Sequence, residues 1–208
     1  MSYVENGVSR KKWICSREKR NILLIGDSIR MGYCQMVKNQ LAQQAQVLFP
    51  EDNCRSSQYL IFSLNGWRNQ VDAPELVDLV IFNCGHWDIA HWTGLEESLT
   101  SPEEYRKNIR MIITQLRKLF VNARVIFVTT TPMNPSGLLG INPRTSEEID
   151  DYNAVAAEVC QAQAVPVIDL NGFCRSWGSE YYRDYCHFTP EGFARLGEEM
   201  SRRIGDYL

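Results

Sequence analysis

No stretch of the sequence approaches the ~18 consecutive apolar residues of a membrane span. Nor do residues 1–20 contain the ~7–15-residue apolar centre of a secretory leader. A cytoplasmic protein with no membrane span is the expectation. None of the seven cysteines stands in a C-x-x-C pair. Odd in number and often set in apolar segments, Cys15, Cys34, Cys54, Cys84, Cys160, Cys174 and Cys186 read as free thiols rather than a secreted disulfide frame. Basic residues are not in excess either: 22 Lys and Arg against 25 Asp and Glu give a net charge of −3, which argues against nucleic acid as the main partner. Internal repeats and low-complexity segments are lacking as well.

What remains is the composition of an ordinary soluble domain, 208 residues at 44% apolar and 23% charged. That is one domain's worth of chain, large enough to bury a two-sided core without disulfides or metals. Arg10, Lys11, Lys12, Arg17, Lys19 and Arg20 cluster around Val8, Trp13 and Ile14. Residues 1–20 therefore read as a basic arm, solvated and anchored by Trp13, ahead of a single domain over 21–208.

Apolar runs at Ile22–Ile25, Gln46–Phe49, Leu76–Phe82, Arg124–Thr130 and Val165–Leu170 predict five strands. Between them lie helical patterns. One runs from Ser28 to about Gln44. A short one, capped by Ser56, runs through Ser63 and stops before the turn signal Asn65-Gly66. Ser101-Pro102-Glu103-Glu104 is a capping box with proline at the first helical position, and Thr145 to Glu148 is a second box. Thr189-Pro190 opens a last helix to about Tyr207. Strands alternating with helices predict a parallel, three-layer α/β sheet. The long loop from Thr131 to Arg144 is of a length that often carries function.

Two motifs carry chemistry. In Asn21 to Arg30, an apolar strand is broken by Gly26, and Asp27 and Ser28 follow at a helix start. That places the Ser28 hydroxyl at the carboxyl edge of the sheet, beside backbone N–H groups that can stabilise an anion. Either residue could equally be a simple helix cap. At the other end, the spacing of Asp184 and His187 lets the carboxylate fold back on the imidazole. This would fix its tautomer and leave the other nitrogen free to act as a base. Together the three make an activated nucleophile.

On these residues the chain resembles the SGNH hydrolases, also called GDSL-like esterases and lipases. Gly26-Asp27-Ser28 is similar to their first block and Asp184-x-x-His187 to their last, over Asn21 to Leu208. The resemblance implies a flavodoxin-like α/β/α sandwich with a five-stranded parallel sheet. It also implies a serine esterase that acts through an acyl-enzyme on Ser28, needing no cofactor and no metal, on a small-molecule ester. The G-x-S-x-G elbow of other hydrolases is absent, since Arg30 stands at its second glycine.

The middle blocks depart from the pattern. Gly85-His86-Trp87-Asp88 resembles G-x-N-D with Trp87 in place of the oxyanion-binding asparagine, for which Asn53 or Asn83 could substitute. The second block's glycine N–H falls in Asn53-Cys54-Arg55-Ser56, with Arg55 at the glycine, and Gly66 is a more distant candidate. Losing one oxyanion donor costs about 2.7–4 kcal/mol of transition-state stabilisation.

A mononuclear metal site from His86, Asp88 and His91 with Asp184 and His187 is the rival chemistry. Trp67, Trp87 and Trp92 either line a pocket or pack the core. The substrates implied include acetylated sugars, short-chain esters, lysophospholipids and thioesters, with short acyl groups or carbohydrate favoured by the tryptophans. A catalytically silent binding protein and an acyltransferase are the alternatives.

Overall fold

The structure is a computed structural model that describes residues 12–208. Residues 1–11 of the predicted basic arm thus lie outside the described residues. Five parallel strands form one sheet: β1 (Arg20–Ile25), β2 (Ala45–Leu48), β3 (Leu79–Phe82), β4 (Arg124–Val128) and β5 (Val167–Ile168), in the order β2-β1-β3-β4-β5. Among the described residues seven helices accompany them: α1 (Ser28–Gln40), α2 (Ser57–Arg68), α3 (His86–Ile89), α4 (Pro102–Leu119), α5 (Ser146–Ala162), α6 (Leu170–Cys174) and α7 (Pro190–Gly205). None of them is long and apolar enough to cross a membrane.

Strand alternation explains the layers. Ile22 and Leu24 of β1 pack with Tyr33 and Val37 of α1 and with Leu196 and Met200 of α7. Leu23 and Ile25 point the other way, into a cluster with Leu60 of α2, Ile112 of α4 and Tyr152 of α5. The strands are buried on both faces, which is why they read as continuous apolar runs. The chain leaves β1 toward β2 on one side and returns to β3 on the other. The sheet order therefore reverses between β1 and β3, the place where such folds open a crevice at the strands' carboxyl ends.

Both capping boxes are formed: Ser101 with Glu104 on α4, and Thr145 with Glu148 on α5. Elsewhere the elements differ from the expectation. Helix α2 runs straight through Asn65-Gly66, because both lie on its exposed face and nothing there requires a turn. Strand β3 begins only at Leu79, since Pro74–Leu76 forms a 3-10 turn. Strand β5 is cut to two residues because the Asp169 side chain accepts the Gly172 N–H (2.9 Å) and starts α6 instead. The folded unit also reaches back before Asn21: Trp13 bridges to Val71 and Cys15 is buried in the core.

Candidate active site

Gly26 ends β1 where the chain passes close to its neighbours; a side chain there would bring a Cβ within 2.8 Å of the Arg30 Cβ. Asp27 caps α1, its carboxylate accepting the Ile29 N–H at 2.9 Å. Both readings of this stretch therefore hold together: Asp27 is the cap and Ser28, half-buried, is the first helical residue.

His187 reaches Ser28 from the turn before α7. Its Nε2 lies 2.8 Å from Ser28 Oγ, and its Nδ1 lies 3.0 Å from both carboxylate oxygens of Asp184. With the carboxylate on Nδ1, the neutral ring carries its proton there and presents a bare Nε2 to the hydroxyl. The turn holds itself shut, since Asp184 Oδ1 also accepts the main-chain N–H groups of His187 (2.8 Å) and Cys186 (3.0 Å). Burial pushes the Asp184 carboxyl up. The two N–H groups and the His187 charge outweigh it and hold the group below the usual carboxylate range, so it stays ionised as the ring's partner. Asn134, on the long loop, fastens the turn from outside through the Tyr185 carbonyl (2.9 Å) and the Asp184 carbonyl (3.0 Å).

The loop after β2 forms the other side. Cys54 N–H donates to the Gly26 carbonyl at 3.2 Å. The buried Arg30 guanidinium donates to the carbonyls of Gly26 (3.1 Å), Pro50 (2.8 Å) and Asp52 (2.6 Å), tying the two loops together. Arg55 has φ 48, a left-handed conformation that a glycine adopts without strain. Its main-chain N–H is not free here, because it donates to Asn53 Oδ1 at 2.9 Å. Asn83 is equally committed: its amide donates to the Val128 carbonyl at 2.9 Å and ties β3 to β4. Gly85, at φ 156, sits so close to Thr130 that a Cβ would fall 2.1 Å from its hydroxyl oxygen. Gly66 lies mid-α2 and is no part of the crevice loops. Trp67 belongs to the core. The Trp87 and Trp92 rings meet at a tilt of 39° with centroids 5.4 Å apart, and the Arg55 guanidinium lies over Trp87 at 5.9 Å.

The rival metal set is not brought together. His91 Nε2 pairs with Glu148 at 2.6 Å. Asp88 is fully buried and accepts the Ser57 N–H (2.9 Å) and hydroxyl (2.5 Å), bracing the start of α2. His86 is also buried. Its Nδ1 accepts from Arg144 Nε at 3.1 Å, and its Nε2 donates to the Thr131 hydroxyl at 3.2 Å. Burial, with Arg144 beside it, holds His86 well below the usual imidazole range, so it stays neutral. Among the described residues, Asp184, Cys186 and His187 do place potential ligand atoms within 4.8 Å of one another. That group is the turn already described, and Arg144 sits 3.4 Å from the Cys186 sulfur, a poor setting for a cation.

Two residues that the sequence reading did not place in the site, Arg144 and Ser57, thus form its underlayer. Their partners lie 58 and 31 residues away, so no local signal marks them. Arg30 was visible only as a break in another motif. Its position four residues after Gly26, in the first turn of a helix leaving a buried strand, was the available clue.

Fold and site together define an α/β sandwich whose chemistry-bearing side chains meet at the β1/β3 crevice. Residues 24–195 match the model of the GDSL-like Lipase/Acylhydrolase family, and the chain belongs to that family. It is 30% identical over 143 residues to the GDSL esterase/lipase WDL1 of Oryza sativa subsp. japonica, a match covering 63% of this chain and 55% of that protein. The chain thus spans about half the length of that curated relative. Among solved structures, a lipase/acylhydrolase from Enterococcus faecalis superposes with TM-score 0.69 at 26% identity, covering 91% of this chain and 97% of the other. Est24, a carbohydrate acetylesterase from Sinorhizobium meliloti, gives TM-score 0.69 at 15% identity over 91% of this chain and 100% of its own.

Proposed function

We propose that the protein is a serine esterase that hydrolyses carboxylic esters of short acyl groups, including acetylated carbohydrate, through an acyl-enzyme on Ser28. The observation that carries this reading is the unbroken chain from Ser28 Oγ to His187 Nε2 (2.8 Å) and from His187 Nδ1 to Asp184 (3.0 Å). Ser28 Oγ attacks the carbonyl carbon as His187 Nε2 takes its proton. The imidazolium is stabilised by the Asp184 carboxylate and returns the proton to the departing alcohol. Water then repeats the sequence on the acyl-serine. The oxyanion is met by the Ser28 main-chain N–H at the start of α1 and by the Asn53–Arg55 loop. There, Asn53 Oδ1 is held by the Arg55 N–H, leaving the Asn53 amide N–H groups as donors.

Two fold neighbours support the acyl preference by analogy, the carbohydrate acetylesterase Est24 and an acetyl xylan esterase at TM-score 0.71 and 16% identity. The adjoining, partly exposed Trp87 and Trp92 supply aromatic surface on which a sugar ring can rest. The test is acetate release from p-nitrophenyl acetate and from acetylated sugars. Ser28→Ala is expected to lower kcat/KM by roughly 10³–10⁶-fold. Equal rates in the native and Ser28→Ala proteins would overturn the reading.

A further inference from the structure

We infer that the Arg55 guanidinium is a specificity-determining group that selects ester substrates carrying an anionic group, such as a carboxylate, beside the acyl ester. The inference rests on the reading of the Ser28 crevice as the substrate site. It is carried by four observations. Arg55 follows Cys54, whose N–H is bonded to the Gly26 carbonyl two residues before Ser28 (3.2 Å), so the residue stands at the rim of the crevice. Its guanidinium lies over two rings at once, Tyr59 at 4.7 Å and Trp87 at 5.9 Å. With both rings in cation–π range the head group gives up part of its freedom before any ligand binds, and its N–H groups have no hydrogen-bond partner among the described residues. The residue is exposed and forms no ion pair among the described residues. The Asp52 carboxylate, on the same loop, instead accepts the Tyr59 hydroxyl at 2.5 Å.

The fourth observation is the backbone. At φ 48, Arg55 keeps a left-handed conformation that disfavours any residue with a Cβ. Strain of this kind persists where the surroundings require it, and it clusters at sites that bind ligands. The other exposed arginine near the turn, Arg183, is already engaged with Asp184 Oδ2 at 3.3 Å. Arg144 is buried on His86 and Cys186. Among the described residues, Arg55 is thus the rim cation left free to form a charge-assisted pair with a substrate anion.

The test compares two acetate esters of the same shape, 4-acetoxybenzoate and its neutral amide, 4-acetoxybenzamide. Binding is measured by calorimetry on the Ser28→Ala protein, where no turnover intervenes. The anion is expected to bind about tenfold more tightly, the size of one charge-assisted contact at a partly exposed site. That preference should vanish with Arg55→Gln added, return in part with Arg55→Lys, and shrink at high salt. Arg55→Gly is the second variant, since it suits the φ and removes only the side chain. A preference that survives Arg55→Gln and Arg55→Gly, or no preference for the anion at all, overturns the inference. Native turnover of both esters, read separately, shows whether Ser28 is a nucleophile, so the two readings fail independently.

Discussion

At the scale of single residues, the site works by committing its polar groups to definite partners. Ser28, His187 and Asp184 form one chain, and Arg55 N–H with Asn53 forms another. Asp88 braces α2 from beneath. Burial pushes its carboxyl up to about 6, against the pull of the Ser57 hydroxyl and N–H. A carboxyl raised above its unfolded value favours folding fully below about pH 4 and loses that contribution as pH rises through about 6. Asp88→Asn keeps the shape and removes the titration. The stability of the native protein relative to Asp88→Asn should therefore fall by about 2–3 kcal/mol between pH 4 and pH 7.5. Urea unfolding of both proteins at the two pH values measures it; a difference independent of pH would contradict the assignment. Ser28 and His187 were legible from sequence because each lies in a short motif at an element boundary. The commitments of Asn53 and Asn83 were not, because an asparagine beside a crevice reads the same whether its amide faces the substrate or a carbonyl.

At the scale of elements, helix packing sets the alignment of the two halves of the site. Ser28 opens α1 and His187 precedes α7, and these helices pack on one face of the sheet. The start of α7 is pinned where the Tyr181 carbonyl accepts the Thr189 N–H at 2.8 Å. Gly192 lies beneath this pin, and a Cβ there would sit 2.6 Å from that same carbonyl oxygen. Gly192→Ala is therefore expected to cost about 1–3 kcal/mol and to lower turnover by shifting the His187 turn. Gly66→Ala is the matched control. It lies inside α2 with nothing within 4 Å of the added Cβ, and it should gain about 0.5–1 kcal/mol from helix propensity. Chemical unfolding of the pair checks both signs, and equal effects would contradict the packing argument. The capping boxes of α4 and α5 could be read in sequence because their chemistry is local. The four-residue α3 could not, since tertiary contacts from Thr130 decide it; the fifth strand was legible within Val165–Leu170, but not its early end at the Asp169 cap.

At the scale of the whole molecule, the sheet order β2-β1-β3-β4-β5 brings residues from both ends of the chain to one crevice. That convergence was legible in part: a parallel sheet puts a serine after its first strand and a D-x-x-H before the last helix at the same carboxyl edge, and the resemblance of both blocks to one family pairs them. The underlayer that joins His86, Arg144 and Cys186 was not, because it links three segments whose spacing carries no period. The central claim is that this convergence makes Ser28 a nucleophile and His187 its base. A fluorophosphonate probe with peptide mapping by mass tests it most directly. The account predicts a single adduct on Ser28, forming roughly 10²–10⁴-fold more slowly in His187→Ala. No adduct, an adduct on another residue, or labelling indifferent to His187 would contradict it.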